Sequence, residues 1–223
     1  MYILNLETST KNCSVAIAKN GKTVAIRQIA EEGYSHAEFL HEFIEQVLKE
    51  SEITFDDLQA IAVGKGPGSY TGLRIGISAA KGLCYALEIP LIAVDTLLLM
   101  AKNLKIKSGV IVPMIDARRM EVYTAVFDKD YNIIEKTSAK ILDGNSFDNF
   151  SETIHILGDC QEKVQTVLTD SKFNFHLDQK FPSANTMAAL SYQKFLDRNF
   201  EDVAYFEPFY LKDFWAPMQN KTS

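Results

Sequence analysis

The chain has 223 residues, of which 47% are hydrophobic, enough to bury the core of one large domain or of two small lobes. Its formal net charge of −6 argues against the basic surface by which proteins usually hold nucleic acid unaided. Three widely spaced cysteines without a CxxC pair indicate reduced structural thiols. A strand-like segment follows Met1 directly and no apolar run is long enough to span a bilayer, so we expect a cytoplasmic protein.

The first half of the sequence predicts the element order β-β-β-α-β-α-β-α. Asn20-Gly21 is a strong hairpin signal between the second and third strands. A capping box of Ser35 and Glu38 opens the first helix, and Asp95 or Thr96 caps the third. The predicted strands span 2–6, 13–18, 23–29, 58–66 and 90–94, and the predicted helices span 35–50, 70–87 and 95–104.

The second half begins like the first, with paired strands. The composition shifts at 102–109, and we place there the boundary between an N-terminal lobe, 1–106, and a C-terminal lobe, 107–223. Beyond it we predict two or three strands over 110–135, a strand at 155–159, helices at 160–170 and 183–198, and an irregular aromatic tail at 203–217. The pattern as a whole predicts an α/β protein in two lobes.

A glycine-rich loop lies between the predicted strand 58–66 and the helix 70–87. It contains Gly64, Gly66, Pro67, Gly68 and Ser69. A Walker A loop needs Gly-Lys-Ser/Thr, which does not occur, and a dinucleotide fingerprint needs glycine at position 69 or 71. A nucleophile elbow is excluded because Ser69 has no glycine two residues to either side. Backbone N–H groups at the start of the helix could bind an anion weakly, but we favour a tight turn that needs unusual φ angles.

Two helices have more apolar surface than one face of a sheet covers. In the helix predicted at 70–87, the small residues lie mainly on one side, and the strongly polar side chains form one narrow strip of Arg74, Ser78, Lys81 and Tyr85. In the helix predicted at 35–50, apolar residues span about half the circumference. Two interpretations stay open: the helices cover each other, or they offer a patch to a second protein. The row of small residues would let another helix approach closely.

No catalytic set can be recognised in the sequence. His41 begins a near miss for the zinc motif H-E-x-x-H, because Glu45 stands where the second histidine belongs. Glu7 ends the first strand, and Asp116 and Glu121 flank a turn between two others. Carboxylates at strand ends can hold a metal-bound nucleotide, but single ones more often cap or pair. We therefore predict no catalytic residue and no metal ligand in this chain.

Five segments give the sequence a specific resemblance. They are "ILNLETSTKNCSVAI", "AVGKGPGSYTGLRIGISAAKGL", "PLIAVDTLLLMA", "IDARRMEVYTAVF" and "YLKDFWAP". In these segments the chain resembles the TsaB (formerly YeaZ) family of bacteria, whereas residues 136–198 carry little of the resemblance. The resemblance implies the two-lobed actin/hexokinase/Hsp70-like (ASKHA) fold, in which each lobe is a mixed sheet with flanking helices.

The resemblance also implies a function. TsaB works with TsaD, TsaE and TsaC to place a threonylcarbamoyl group on the adenosine next to the anticodon of tRNA, and TsaD carries the metal and the transfer chemistry. A member of this family would be a non-catalytic subunit that activates TsaD by forming a heterodimer with it. Metal and nucleotide would be bound by TsaD and TsaE, not by this chain alone. Contact with tRNA would be indirect, and the exposed apolar helices would make the isolated chain a homodimer.

The same resemblance places the TsaD contact on the two helices with surplus apolar surface. The residues expected to make it are His36, Phe39, Leu40, Phe43, Val47, Gly72, Arg74, Ile75, Gly76, Ala79 and Gly82. Two departures weaken a nucleotide site. Glu7 stands where the family commonly has Asp, and Arg118, Arg119 and Met120 form a turn where nucleotide-hydrolysing relatives have a glycine-bearing hairpin. The alternative function is a small ATP-dependent kinase or ATPase, and a more remote one is a peptidase.

Overall fold

The computed structural model describes residues 1–30 and 36–212, apart from the side chain of His36. Within these residues it has ten strands and five α-helices. The strands are β1 (Tyr2–Glu7), β2 (Cys13–Lys19), β3 (Lys22–Ile29), β4 (Leu58–Gly64), β5 (Leu91–Val94), β6 (Val110–Asp116), β7 (Glu121–Phe127), β8 (Ile133–Ile141), β9 (Ile154–Gly158) and β10 (Phe173–Phe175). The helices are α1 (His36–Glu50), α2 (Tyr70–Leu87), α3 (Thr96–Ala101), α4 (Gln161–Val164) and α5 (Ala184–Leu196).

The strands form two five-stranded mixed sheets with the same internal order. In the first sheet the order is β3-β2-β1-β4-β5, and in the second it is β10-β9-β6-β7-β8, which is the same order from the opposite edge. In each sheet the first three strands in chain order form an antiparallel meander. The last two strands in chain order run parallel to the first. The two halves of the chain therefore repeat one topology, as the paired strands at the start of each half predict.

Two helices each pack on the sheet of the predicted lobe to which they do not belong in sequence. The first sheet is covered by α1 and α2 on one side and by α5 on the other, where Met187 packs against Ile3 and Ile92. In turn α3 packs mainly on the second sheet, where Leu97 joins a core with Ile111. The two sheets thus lie on either side of the predicted division at 106 and 107, but each lobe is completed by a helix from the other side of that division.

Most predicted elements are present, and their caps are largely those expected. Asp95 caps α3 by accepting a hydrogen bond from the backbone N–H of Leu98 (3.0 Å), and Ser183 caps α5. The predicted cap of the first helix, Ser35, lies outside the described residues. The helix predicted at 160–170 is wrong in length, because α4 ends at Val164 and the backbone N–H groups of Thr166 and Val167 bond three residues back instead of four. The three-residue strand β10 was not predicted.

None of the helices in the described part of the chain combines the length and the apolarity that a bilayer crossing would require. The described part of the aromatic tail, up to residue 212, is irregular, as expected.

Candidate functional site

The glycine-rich loop after β4 closes over the turn between β1 and β2. The backbone N–H of Ser69 donates to the carbonyl of Ser9 (2.6 Å), and a Cβ on Gly68 would overlap that same carbonyl. Gly66 has a φ of +105°, a conformation that side chains disfavour. The loop is therefore a tight turn, as the favoured interpretation predicts, and its glycines allow close approach to the chain's own backbone.

The β1–β2 turn beneath this loop carries a fully buried carboxyl group. Glu7 Oε1 accepts a hydrogen bond from the backbone N–H of Ser9 (2.7 Å), whereas no described group donates to Oε2. Burial raises the pKa of Glu7 to about 6, although hydrogen bonds from Ser9 oppose the shift. A Cβ on Gly64 would overlap this carboxyl group. Glu7 thus faces the backbone of its own chain.

Several residues expected on the partner surface are instead core residues of the first lobe. Leu40, Phe43 and Val47 are 0%, 8% and 0% exposed, because α1 packs on β2 and β3 and also touches α2. Phe39 is half-buried against Phe43, with the ring centroids 5.5 Å apart. The expectation for these buried residues is wrong, since the wide apolar stripe of α1 is covered by its own lobe. The side chain of His36 lies outside the described residues.

Two glycines of α2 are also explained by contacts within the chain. Thr8 Oγ1 donates to the carbonyl of Gly72 (2.8 Å), and a Cβ on Gly72 would overlap the carbonyl of Thr8. A Cβ on Gly76 would overlap Thr8 Oγ1. Both glycines are buried, so their place on the partner surface is wrong. They let α2 lie directly on the β1–β2 turn.

The other side of α2 is open to solvent. There a Cβ added to Gly82 would meet no atom within 4 Å, and Tyr85 is 82% exposed. We call this surface the α2 face; it consists of Ile75, Ser78, Ala79, Gly82, Tyr85 and Ala86, all exposed or half-buried. Arg74 is exposed at its edge. Of the expected partner residues, the α2 face and its edge retain Arg74, Ile75, Ala79 and Gly82.

Sequence reasoning missed Tyr85 as part of this face, because it was counted with the polar strip of the helix. Its position three residues after Gly82 was the available signal, since residues three apart share a helix face. The face has low relief because most of its side chains are small, and the tyrosine adds a large exposed aromatic ring.

A segment near the end of the described chain runs along one side of the α2 face. We call residues 201–212 the strap. Lys81 Nζ donates to the carbonyls of Ala204 (3.1 Å) and Phe206 (3.0 Å), and the backbone N–H of Phe209 donates to the carbonyl of Lys65 in the glycine-rich loop (2.8 Å). The strap therefore binds both α2 and the loop that precedes it.

The end of the strap is held by an aromatic clamp and by an ion pair. The ring of Tyr210 lies 4.9 Å from that of Tyr70, and its hydroxyl accepts a hydrogen bond from Arg74 Nε (3.1 Å). Lys212 pairs with Glu121 of the second sheet. Because Arg74 is committed to this clamp, its exposed side chain positions the strap beside the α2 face.

The polar groups of the turn between β6 and β7 bond to one another and to neighbouring residues of the same chain. Arg118 and Arg119 have φ angles of +74° and +51°, and the backbone N–H of Arg118 donates to Asp116 Oδ1 (2.8 Å). Asp116 also pairs with Lys163, and its own N–H donates to Asp159 Oδ1 (2.9 Å). These carboxylates cap and pair, as expected of single strand-end carboxylates. In residues 1–30 and 36–212, no three His, Cys, Asp or Glu side chains are grouped so that they could hold a metal ion.

Comparison with known proteins decides the family. The family described as TsaD, tRNA N6-adenosine threonylcarbamoyltransferase, matches residues 28–214. An Escherichia coli K12 relative named tRNA threonylcarbamoyladenosine biosynthesis protein TsaB is 31% identical over 238 residues, which cover 99% of this chain and 100% of that protein. The chain belongs to the TsaB family.

Within that family the similarity to TsaB is more extensive than the similarity to the transferase. A tRNA N6-adenosine threonylcarbamoyltransferase of Bacillus thuringiensis is 38% identical over 107 residues, but these cover only 41% of this TsaB-family chain and 31% of the transferase. The solved structure of YeaZ from Pseudomonas aeruginosa superposes with a TM-score of 0.81 at 24% identity, covering 94% of this chain and 99% of that one. The fold expected from the resemblance, two mixed sheets with flanking helices, is therefore confirmed.

Proposed function

We propose that this chain is a non-catalytic activating subunit of the bacterial machinery that adds a threonylcarbamoyl group to the adenosine next to the anticodon of tRNA, and that it acts by binding TsaD. The full-length similarity to a protein named as a tRNA threonylcarbamoyladenosine biosynthesis protein supports the pathway. The α2 face supports the mode of action, since it is the open, low-relief side of a helix whose other side is fully packed.

The physical case for TsaD as the occupant of the α2 face is one of shape and polarity. Small side chains at Ser78, Ala79, Gly82 and Ala86 let a second helix approach to close range, where many weak contacts add up. Tyr85 offers an aromatic anchor of the kind enriched in interfaces. No residue of the face as defined is charged, so a partner helix would not leave a buried charge unpaired.

The proposed lack of catalysis is supported by the two turns at which the sequence departs from a nucleotide site. The β1–β2 turn is covered by the glycine-rich loop, and the carbonyl of Ser9 is already bonded to Ser69. In the β6–β7 turn, the backbone N–H of Arg118 already donates a hydrogen bond to Asp116. We therefore assign metal and nucleotide to TsaD and TsaE, with TsaE as a further partner and tRNA as an indirect one. The isolated chain would pair with itself through the α2 face, and the protein would work in the cytoplasm.

Substitution of Gly82 by Leu tests the proposal. A Cβ at Gly82 meets open space, so the folded chain should accept Leu, while a partner helix should be held away. We expect binding to purified TsaD, measured by size-exclusion chromatography and titration calorimetry with TsaE and nucleotide present, to weaken at least tenfold. Gly144→Leu is the matched control, because Gly144 lies in the second lobe and a Cβ there meets only the carbonyl of Val167 at 3.9 Å. Unchanged TsaD binding by a folded Gly82→Leu chain would contradict the proposed interface.

A further inference from the structure

Two histidines of the second lobe share a close contact that the proposed function does not use. His155 lies on β9, and His176 follows the end of β10, the edge strand that pairs with β9. His155 Nδ1 lies 3.0 Å from His176 Nε2, and the ring centroids are 5.2 Å apart. Both side chains are half-buried, so a small solute can reach them.

The second nitrogen of His155 fixes which of its nitrogens can act as a ligand. His155 Nε2 lies 3.2 Å from the carbonyl of Ser108, which only accepts, so Nε2 carries the proton and Nδ1 presents a lone pair. Metal-binding histidines are oriented in the same way, by donating their other N–H to a backbone carbonyl. In the metal-free pair, His176 Nε2 is then the donor to His155 Nδ1.

The separation of the two nitrogens is close to the spacing that one class of metal requires. Two nitrogens bound at about 2.1 Å to one ion lie about 3.0 Å apart at a right angle and about 3.4 Å apart at a tetrahedral angle. The 3.0 Å of the hydrogen-bonded, metal-free pair already equals the right-angle spacing, which Ni²⁺ and Cu²⁺ adopt in square-planar or tetragonal sites and structural Zn²⁺ does not. Binding of Ni²⁺ or Cu²⁺ would therefore require the rings to turn but not to move apart.

A third ligand lies beside the pair. The side-chain amide of Asn174 is 3.5 Å from His155 Nδ1, and Asn174 faces His155 directly across the parallel β9–β10 pairing. A half-turn of this amide presents its oxygen, a donor that suits tetragonal sites with nitrogen and oxygen ligands. We propose that His155 Nδ1, His176 Nε2 and the Asn174 amide form a binding site for Ni²⁺ or Cu²⁺, with water in the remaining positions.

The surroundings of His176 favour the form of its ring that binds a metal. Burial lowers the pKa of His176, the neighbouring His155 lowers it further, and Asp178 partly offsets both. This shift favours the neutral imidazole of His176, and metal binding then requires that its proton move from Nε2 to Nδ1. The metal would tie β9 to the segment after β10.

Titration of the tag-free full chain with NiCl₂ at pH 7.5 tests this site. We expect one Ni²⁺ per chain by calorimetry, an affinity at least tenfold lower in His176→Gln, and an unchanged affinity in the control His41→Ala, whose side chain is exposed on α1. The glutamine side chain can still donate a hydrogen bond to His155 Nδ1 but offers no imidazole to a metal. If His176 had only a structural role, His176→Gln would keep the thermal stability and the Ni²⁺ affinity of the unmodified chain.

A measurement on the unmodified chain removes dependence on the variant. Bound Ni²⁺ should broaden or shift the ring proton signals of His155 and His176 in NMR spectra and leave those of His41 unaffected. Absence of Ni²⁺ binding by the unmodified chain, equal binding by folded His176→Gln, or broadening confined to His41 would each overturn the proposal.

Discussion

At the scale of single residues, the most unusual group is the carboxyl of Glu7. It lies at the end of β1, fully buried, with one oxygen bonded to the N–H of Ser9 and the other without a donor among the described residues. A buried carboxyl group with an unpaired oxygen is more stable when protonated, because its charged form has lost the hydration it had in water. The stability of the first lobe should therefore depend on pH through this residue.

The sign of that dependence follows from the direction of the pKa shift. Burial raises the pKa of Glu7 from 4.5 to about 6, so the folded chain holds the proton more tightly than the unfolded chain. The contribution to the free energy of unfolding is fully present below pH 4.5 and is lost as pH rises through 6. A shift from 4.5 to about 6 corresponds to about 2 kcal/mol. In Glu7→Gln this loss should disappear.

Urea unfolding at pH 4 and pH 7 measures the effect. From pH 4 to pH 7 the free energy of unfolding should fall by about 2 kcal/mol more in the unmodified chain than in Glu7→Gln. Glu152→Gln, at an exposed position, is the control and should follow the unmodified chain. Parallel pH profiles for the unmodified chain and Glu7→Gln would show that Glu7 is not held in this buried state.

At the scale of elements, α2 is a helix with two different reasons for its glycines. Position 76 has no room for a side chain because Thr8 Oγ1 occupies the place of a Cβ, whereas Gly82 has open space around it. Both lie well inside the helix Tyr70–Leu87, so alanine would bring each the same gain of up to about 1 kcal/mol in helix propensity. We expect Gly82→Ala to be neutral or stabilising and Gly76→Ala to be destabilising by about 1–3 kcal/mol from overpacking.

Thermal and urea unfolding of the two alanine variants decide this comparison. Because the chemical change is identical, their difference in unfolding free energy isolates the contact with Thr8. If Gly76→Ala were as stable as Gly82→Ala, α2 would not lie directly on the β1–β2 turn, and the assignment of Gly76 to the core would be wrong.

The elements also show what the sequence could and could not predict. Local signals worked where short-range chemistry decides the structure: the Asn20-Gly21 turn, the Asp95 cap and the glycine-rich turn are all present. The prediction that apolar residues span about half the circumference of α1 was correct, but the inference that a partner protein covers them was not. Periodicity shows how much of a helix is apolar and cannot tell whether a strand of the same chain or a second protein covers it. Leu40 and Val47 therefore changed from partner residues to core residues.

At the scale of the whole molecule, the chain builds two similar sheets and then exchanges helices between them. The topology within each sheet could be predicted, because its strands follow one another along the sequence. The exchange could not, because α5 lies about 90 residues after β5 in the chain and carries no local signal for the sheet it joins. The strap has the same property, since it returns from the second half to α2 and the glycine-rich loop.

This exchange predicts that the N-terminal lobe as defined by sequence, residues 1–106, is not stable alone. Without α5, the sheet face that contains Ile3, Ile92 and Val94 loses the buried Met187 and its half-buried neighbours Leu190 and Phe195. Each well-buried apolar side chain contributes about 2 kcal/mol, and a domain has only about 5–15 kcal/mol of stability in total. The isolated fragment should therefore unfold without a cooperative transition and should bind a hydrophobic dye.

The matched control restores the missing helix. Joining residues 1–106 through a Gly/Ser linker to 182–212 supplies α5 together with the strap, so this chain should regain a cooperative thermal transition and should bind less dye. Met187→Asp in the joined chain should abolish that gain, since it places an unpaired charge in the restored core. A cooperatively folded 1–106 fragment, or a joined chain indifferent to Met187→Asp, would mean that α5 is an accessory to the first lobe and that the lobes are independent units.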